Sequence, residues 1–229
     1  MHITHIESIR VGEYPDIIWV QVYTDTGIVG LGETWYAATT VEAAIHDHFA
    51  PLLVGKDPFA IERHWSNMFR LSDHAGYGGA EMRAISALDI ALWDIKGKAT
   101  GVPVYELLGG KVRDKVRVYN GAVRPPLEGI TPQHYADNMR QMKESPENFS
   151  IIKQGVAFHS PMSTEVPDFY YGDHVDARFH PNRGLLTEKG FKHLMACIEA
   201  TKDVCGDEVG LALDAGPGMM APDLLRLAK

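Results

Sequence analysis

Cysteine is nearly absent: the 229 residues hold two, Cys197 and Cys205, close together on what reads as one helix. Thiols so placed build no disulfide framework, and their expected state is buried and free in a reducing compartment. Long apolar runs are missing too. No stretch approaches the roughly 18 residues needed to span a bilayer, and the opening MHITHIESIR has no apolar leader core. There is no block of Lys or Arg either. With 30 acidic against 22 basic residues and a net charge of -8, the chain lacks the clustered cations that grip nucleic-acid phosphates. Internal repeats and low-complexity segments are absent as well. What remains is an ordinary globular composition, 45% hydrophobic and 23% charged, at a length that suits one large domain or two smaller ones. The expectation is a soluble, cytoplasmic protein.

The first third reads as a small antiparallel sheet followed by helices. Residues 2–11 form a candidate first strand. In 17–24, Ile18, Val20 and Val22 alternate with Trp19, Gln21 and Tyr23, as in a half-buried strand. Asp25-Thr26-Gly27 supplies a turn, with Gly27 suited to positive φ, and residues 28–33 return as a third strand. Helices are expected over 40–53 and 58–71, separated by the breaker Gly55-Lys56-Asp57-Pro58. The strongest helix spans 80–98, where Ile85, Leu88, Leu92 and Ile95 recur at three- and four-residue spacing beside Ala84 and Ala91. It stops at Gly101, and a short helical turn opened by Pro103 ends at Gly109-Gly110.

Beyond Gly110 the pattern becomes strand–helix–strand. Residues 115–123 alternate like a strand. Thr131 and Pro132 open a helix with Tyr135, Met139 and Met142 on its buried stripe. Residues 149–158 form the next strand, and a loop of roughly thirty residues follows, long enough to suggest function rather than connection. Thr187 caps a helix faced by Phe191, Leu194, Ile198 and Thr201 and closed by Gly206. Residues 209–214 give a third strand, and 222–229 begin a third helix. Strands alternating with helices imply a parallel sheet with right-handed crossovers. Three βα units leave an edge of such a sheet exposed, so the chain reads as the front portion of something longer.

The run Ala87-Leu88-Asp89-Ile90-Ala91-Leu92-Trp93-Asp94-Ile95-Lys96-Gly97-Lys98, continuing through Gly101-Val102-Pro103-Val104-Tyr105-Glu106-Leu107-Leu108-Gly109-Gly110, resembles the N-terminal signature of the mandelate racemase/muconate lactonizing branch of the enolase superfamily. Gly30-Leu31-Gly32-Glu33 and the strand at 115–119 resemble the same family. The resemblance implies an α+β capping domain, here residues 1–112, followed by the first three βα units of a (β/α)8 TIM-type barrel, here 113–229, with the barrel truncated. It also implies proton abstraction beside a carboxylate, one Mg2+ ion, a small-molecule carboxylate substrate and a homo-oligomer, with no nucleic-acid or membrane partner. The remaining metal ligands and the main base are expected beyond residue 229.

Active residues of such barrels sit at the C-terminal ends of strands. Asp214 ends one, and the resemblance makes it the first metal ligand; a turn-capping Asp is the structural alternative. The family's acid-sugar dehydratases often carry a His two residues later, where this chain has Gly216. Lys153 lies near the end of the second barrel strand, costly to bury unless paired or used. The family has a Lys-x-Lys pair there, but the matching second position is Gly155. Lys153 then reads as the electrostatic member that meets the substrate carboxylate; the alternatives are that it is itself the base, or a rim lysine snorkelling outward. Losing one base tips the reading from two-base racemisation toward dehydration of a sugar acid, an aldonate or aldarate. The long loop offers His159, Tyr170, Tyr171, His174 and His180. Of these, His159 and His180 are candidate proton donors and Tyr171 a substrate contact. In a glycine-rich candidate lid over 72–79, His74 and Tyr77 are further candidate contacts; a second lid is expected at 12–16. Trp93-Asp94 reads as structural, and His46 and His48 point to different faces and do not chelate together. A racemase, epimerase or cycloisomerase on the same scaffold, and a non-catalytic fragment, are the competing readings.

Overall fold

The computed structural model describes residues 1–75, 78–121, 123–172 and 185–229, which divide into two compact units, Met1–Asp114 and Lys115–Lys229. The candidate residues Tyr77, His174 and His180 lie outside the described residues. No helix among those described is long and apolar enough to cross a membrane.

In the first unit, β1 (Ile3–Ile9), β2 (Ile17–Thr24) and β3 (Val29–Trp35) form an antiparallel sheet in that order. Ile18, Val20 and Val22 are fully buried, as their alternation predicts. Val20 pairs with Gly32 and Val22 with Gly30, so the two glycines share the buried face. Against that face lies α4 (Ala80–Thr100), whose Ala84, Ile85, Leu88, Ala91, Leu92 and Ile95 are wholly buried. The approach is backbone to backbone: a Cβ on Gly32 would overlap the Ala87 carbonyl, and one on Gly30 the Ala91 carbonyl. Asp94 Oδ2 completes the joint, accepting from the Leu31 amide at 2.8 Å and from Lys98 Nζ at 2.6 Å. Asp94 is therefore structural, as expected. Gly101, at φ 71°, ends α4 in the left-handed region that favours glycine.

The helix expected over 40–53 is present as one unbroken helical run, though not a uniform α-helix. It runs as α1 (Ala38–Ala43), a π-helical turn (Ala44–Phe49) and α2 (Ala50–Leu53), followed by α3 (Ile61–Ser72) and, beyond α4, by α5 (Val104–Leu107). Tyr36 and Ala37, just before α1, both have positive φ (76° and 55°). Arg83 braces that corner, donating from Nη1 to the Trp35 carbonyl at 2.5 Å with its guanidinium 5.6 Å from the Tyr36 ring.

In the second unit, β4 (Ile151–Gly155) and β5 (Gly210–Asp214) are parallel, with Lys153 beside Ala212 and Gly155 beside Asp214. The helices are α6 (Pro132–Lys143), α7 (Met162–Glu165), α8 (Glu188–Cys205) and α9 (Ala221–Leu227). Tyr135, Met139 and Met142 of α6 and Leu194 and Thr201 of α8 are buried as their spacing implies. Both cysteines are free and buried, and burial pushes the Cys197 thiol up to about 11, which keeps it protonated and inert.

Two expectations need correcting. The described residues of 115–123 form no strand: among them Asn120 alone bridges, its amide donating to the Ile151 carbonyl and its carbonyl accepting from the Lys153 amide. Alternation needs a surface to pack on, and Val116 and Val118 are 72% and 63% exposed. The long loop is not all loop either. Its described part holds α7, and Val156, Met162, Val166, Phe169 and Tyr170 are buried in the core.

Both sequence-assigned caps are made. Thr131 Oγ1 accepts from the His134 amide at 3.3 Å, and Thr187 Oγ1 accepts from the Gly190 amide at 2.9 Å while its hydroxyl donates to the Asp168 carbonyl. Thr187→Ala removes both bonds and is expected to cost about 1–2 kcal/mol. Urea denaturation of the whole chain checks this: the midpoint falls with the slope unchanged, and an unmoved midpoint refutes it.

Candidate active site

Three of the sequence-derived candidates meet at the C-terminal ends of β4 and β5. Asp214 is the last residue of β5. Its Oδ2 lies 2.9 Å from Lys153 Nζ, its Oδ1 lies 3.3 Å from His159 Nε2, and Oδ1 also accepts from the Gly216 amide at 3.1 Å. Lys153 and Asp214 hold each other ionised: their hydrogen bond raises the lysine above its ordinary value and lowers the aspartate below its own. The Lys153 ammonium also sits 5.4 Å from the centre of the Tyr119 ring, a partner that single-residue reading of the sequence passed over.

His159 arrives by a sharp reversal of the chain. Directly after β4, Ala157 takes φ 50°, a left-handed conformation unusual for a residue with a side chain. A single 3-10 turn (Ala157–His159) follows, and the His159 amide donates to the Val156 carbonyl at 3.1 Å. The chain thus folds back over the strand end. That fold uses two glycines. A Cβ on Gly155 would come within 2.6 Å of the His159 carbonyl, and one on Gly216 within 2.9 Å of the His159 ring. A second lysine at 155 therefore has no room, and the imidazole of His159 occupies the space a side chain at 216 would enter. The spacing of Gly155 and Gly216 carries this signal in the sequence, but only once β4 and β5 are known to be neighbours.

The other candidates stand elsewhere. His74 belongs to the first unit, in a 3-10 turn; its side chain is exposed, with Nε2 3.6 Å from Asp73 Oδ1. Tyr171 is exposed, and its amide donates to the Leu185 carbonyl at 3.0 Å. Tyr170 is core rather than site: it packs on Phe158 and Phe169, and burial holds its hydroxyl well above the usual tyrosine range.

No group of three or more His, Cys, Asp or Glu side chains among the described residues is placed to hold a metal ion. Asp214 offers one carboxylate of the hard-oxygen type that Mg2+ takes, and both its oxygens are engaged by Lys153, His159 and the Gly216 amide. These residues by themselves do not make a Mg2+ site.

The chain is similar to known proteins along much of its length. Residues 6–109 match the family described as the N-terminal domain of mandelate racemase / muconate lactonizing enzyme. A D-galactonate dehydratase of Variovorax paradoxus is 49% identical over 129 residues, 55% of this chain and 33% of that protein. One from Verminephrobacter eiseniae is 42% identical over 143 residues, 62% of this chain and 35% of that protein. The crystal structure of an enolase of the mandelate racemase subgroup from Agrobacterium tumefaciens superposes with a TM-score of 0.75 at 31% identity, covering 100% of this chain and 54% of its own. The matched segments thus span about a third of the curated relatives, and the whole chain about half of the solved one. The N-terminal portion of the chain belongs to the mandelate racemase/muconate lactonizing enzyme family of the enolase superfamily.

Proposed function

We propose that this chain belongs to a Mg2+-dependent hydro-lyase that dehydrates a sugar acid, an aldonate or aldarate, to a 2-keto-3-deoxy acid. In this reading residues 1–112 are a capping domain and 113–229 the opening βα units of a (β/α)8 barrel. The observation that carries it is the placement of His159. Where dehydratases of the family often have a histidine two residues after the strand-end aspartate, this chain has Gly216, and the His159 ring lies against that glycine and 3.3 Å from Asp214. A proton donor is thus restored from the neighbouring strand. The crowding at Gly155 supports the same reading from the other side, because racemisation needs a base on each face of the substrate.

The chemistry divides as follows. Lys153, held as an ammonium by Asp214, meets the substrate carboxylate and stabilises the negative charge that grows there as the α-proton leaves. His159 gives its proton to the departing β-hydroxyl: the carbon–oxygen bond breaks, water is released, and the enol left behind tautomerises to the keto acid. The described residues do not include the base that takes the α-proton. Asp214 would be one carboxylate ligand to Mg2+, whose chemistry there would be to neutralise charge on the substrate oxygens, with further ligands needed from outside the described residues. The D-galactonate dehydratases among the relatives are named for a reaction of this class.

The test is a panel of sugar acids incubated with the full-length protein and Mg2+. Formation of a keto acid is expected, with His159→Asn lowering turnover by about 10²–10⁴-fold. Exchange of the α-proton with solvent deuterium without loss of water would instead assign racemase or epimerase chemistry. No reaction across the panel overturns both.

A further inference from the structure

The turns that follow β4 and β5 lock together through two glycines, and the glycines meet different side chains. The base of the lock is a hydrogen bond, the Val156 amide donating to the Asp214 carbonyl at 2.9 Å. Beyond it stand two 3-10 turns, Ala157–His159 and Gly216–Gly218. Gly216 lies against the His159 ring, and its φ of 67° by itself favours glycine. Gly218 is a different case, because it stands outside the left-handed region and its backbone does not call for glycine. What excludes a side chain there is Phe158: a Cβ on Gly218 would fall 1.8, 1.9 and 2.1 Å from three of its ring carbons. The ring therefore rests directly on the Gly218 main chain. It also packs on the ring of Tyr170, with centroids 5.3 Å apart, and Tyr170 is itself buried.

We infer that Phe158 is a positioning residue of this site: its ring, seated on Gly218, holds the turn that carries His159 to Asp214. The inference rests on the proton-donor reading of His159 and adds a residue to it. The turn needs such a hold. Ala157 enters it at φ 50°, a conformation that is costly for a residue with a side chain, so an unanchored turn relaxes toward ordinary backbone. Phe158 and His159 are consecutive, and a contact that fixes one fixes the backbone from which the other projects. The His159 side chain is 45% exposed, whereas Phe158 packs against the core cluster that includes Phe169, Tyr170 and Met219. The anchor is thus the apolar neighbour, and the imidazole is left to face Asp214.

The test uses the full-length enzyme and the acid of the panel that it turns over fastest. Phe158→Ala removes the ring, and Gly218→Ala pushes it off its seat. Each is expected to lower kcat at least about tenfold, because misplacing a reacting group by about 1 Å can cost 10²-fold. KM should stay within about threefold of wild type, since Lys153 still meets the substrate. Phe158→Val combined with Gly218→Ala lets the new methyl fill space the ring gave up, and is expected to turn over faster than Gly218→Ala alone. A residue that only stabilises the fold would lower the urea midpoint and leave kcat of the folded enzyme unchanged. That result, a loss confined to KM, or a double variant no faster than Gly218→Ala overturns the inference. If Phe158→Ala does not fold, Gly218→Ala and the double variant decide it. If wild type turns over none of the acids, the proton-donor reading falls, and positioning is judged from crystal structures of the single variants. A His159 ring still 3.3 Å from Asp214 then overturns it, and a ring withdrawn from Asp214 and Gly216 supports it.

Discussion

Asp214→Asn is expected to lower kcat/KM of the full-length enzyme by about 10²–10³-fold or more while leaving the fold intact. The asparagine keeps the shape of the carboxylate and an oxygen for the Gly216 amide, so the turn after β5 survives. What it removes is the charge that Lys153 and His159 share. The ammonium loses the partner that fixes its position at 2.9 Å, and the imidazole loses the anion that orients it. All three groups are partly exposed, so water replaces much of the lost interaction and the unfolding midpoint should barely move. Steady-state kinetics with and without Mg2+, paired with urea denaturation, check both halves. Activity within about threefold of wild type would remove Asp214 from the chemistry, and a collapsed midpoint would make it a structural residue.

The second large effect is on folding and concerns the first unit. Gly32→Ala should be among the most disruptive single changes in the chain, costing more than about 4 kcal/mol. The added Cβ would overlap a backbone carbonyl, and a backbone cannot turn aside as a side-chain tip can. Relief requires α4 to slide off β3, which opens a core where Leu88, Ala91 and Leu92 are wholly buried. Against a total stability of 5–15 kcal/mol typical of folded proteins, the variant is expected to be largely unfolded or insoluble. Gly12→Ala is the control, since a Cβ there meets nothing within 4 Å and should shift stability by less than about 0.5 kcal/mol. Far-UV circular dichroism and denaturation of the two full-length variants side by side decide the matter: equal stability refutes the close-approach account.

Much of this was legible before any coordinates, and the exceptions have physical causes. The α4 stripe, the alternation of β2 and the Thr131 and Thr187 caps are local patterns, in which neighbours in sequence are neighbours in space, and each is present as read. Asp214 and Lys153 were also found singly, as polar residues at the ends of apolar strands. Their pairing was not, because it depends on the parallel register that sets Gly155 beside Asp214. His159 reads in the sequence as one of two candidate proton donors, and the reversal at Ala157 and the space over Gly216 bring it to Asp214. The strand expected at 115–123 failed because alternation records what a segment can do against a surface, not that the surface is there.

The segment after β4 has a consequence for redesign. Val156, Met162, Val166 and Phe169 are interior residues, yet they stand in the same stretch as His159, the proposed proton donor. Specificity loops are often treated as modular and transplantable from one relative to another. Here a graft that replaced this stretch would exchange part of the interior along with the chemistry. Changes to this stretch are better made one exposed residue at a time than by cassette exchange.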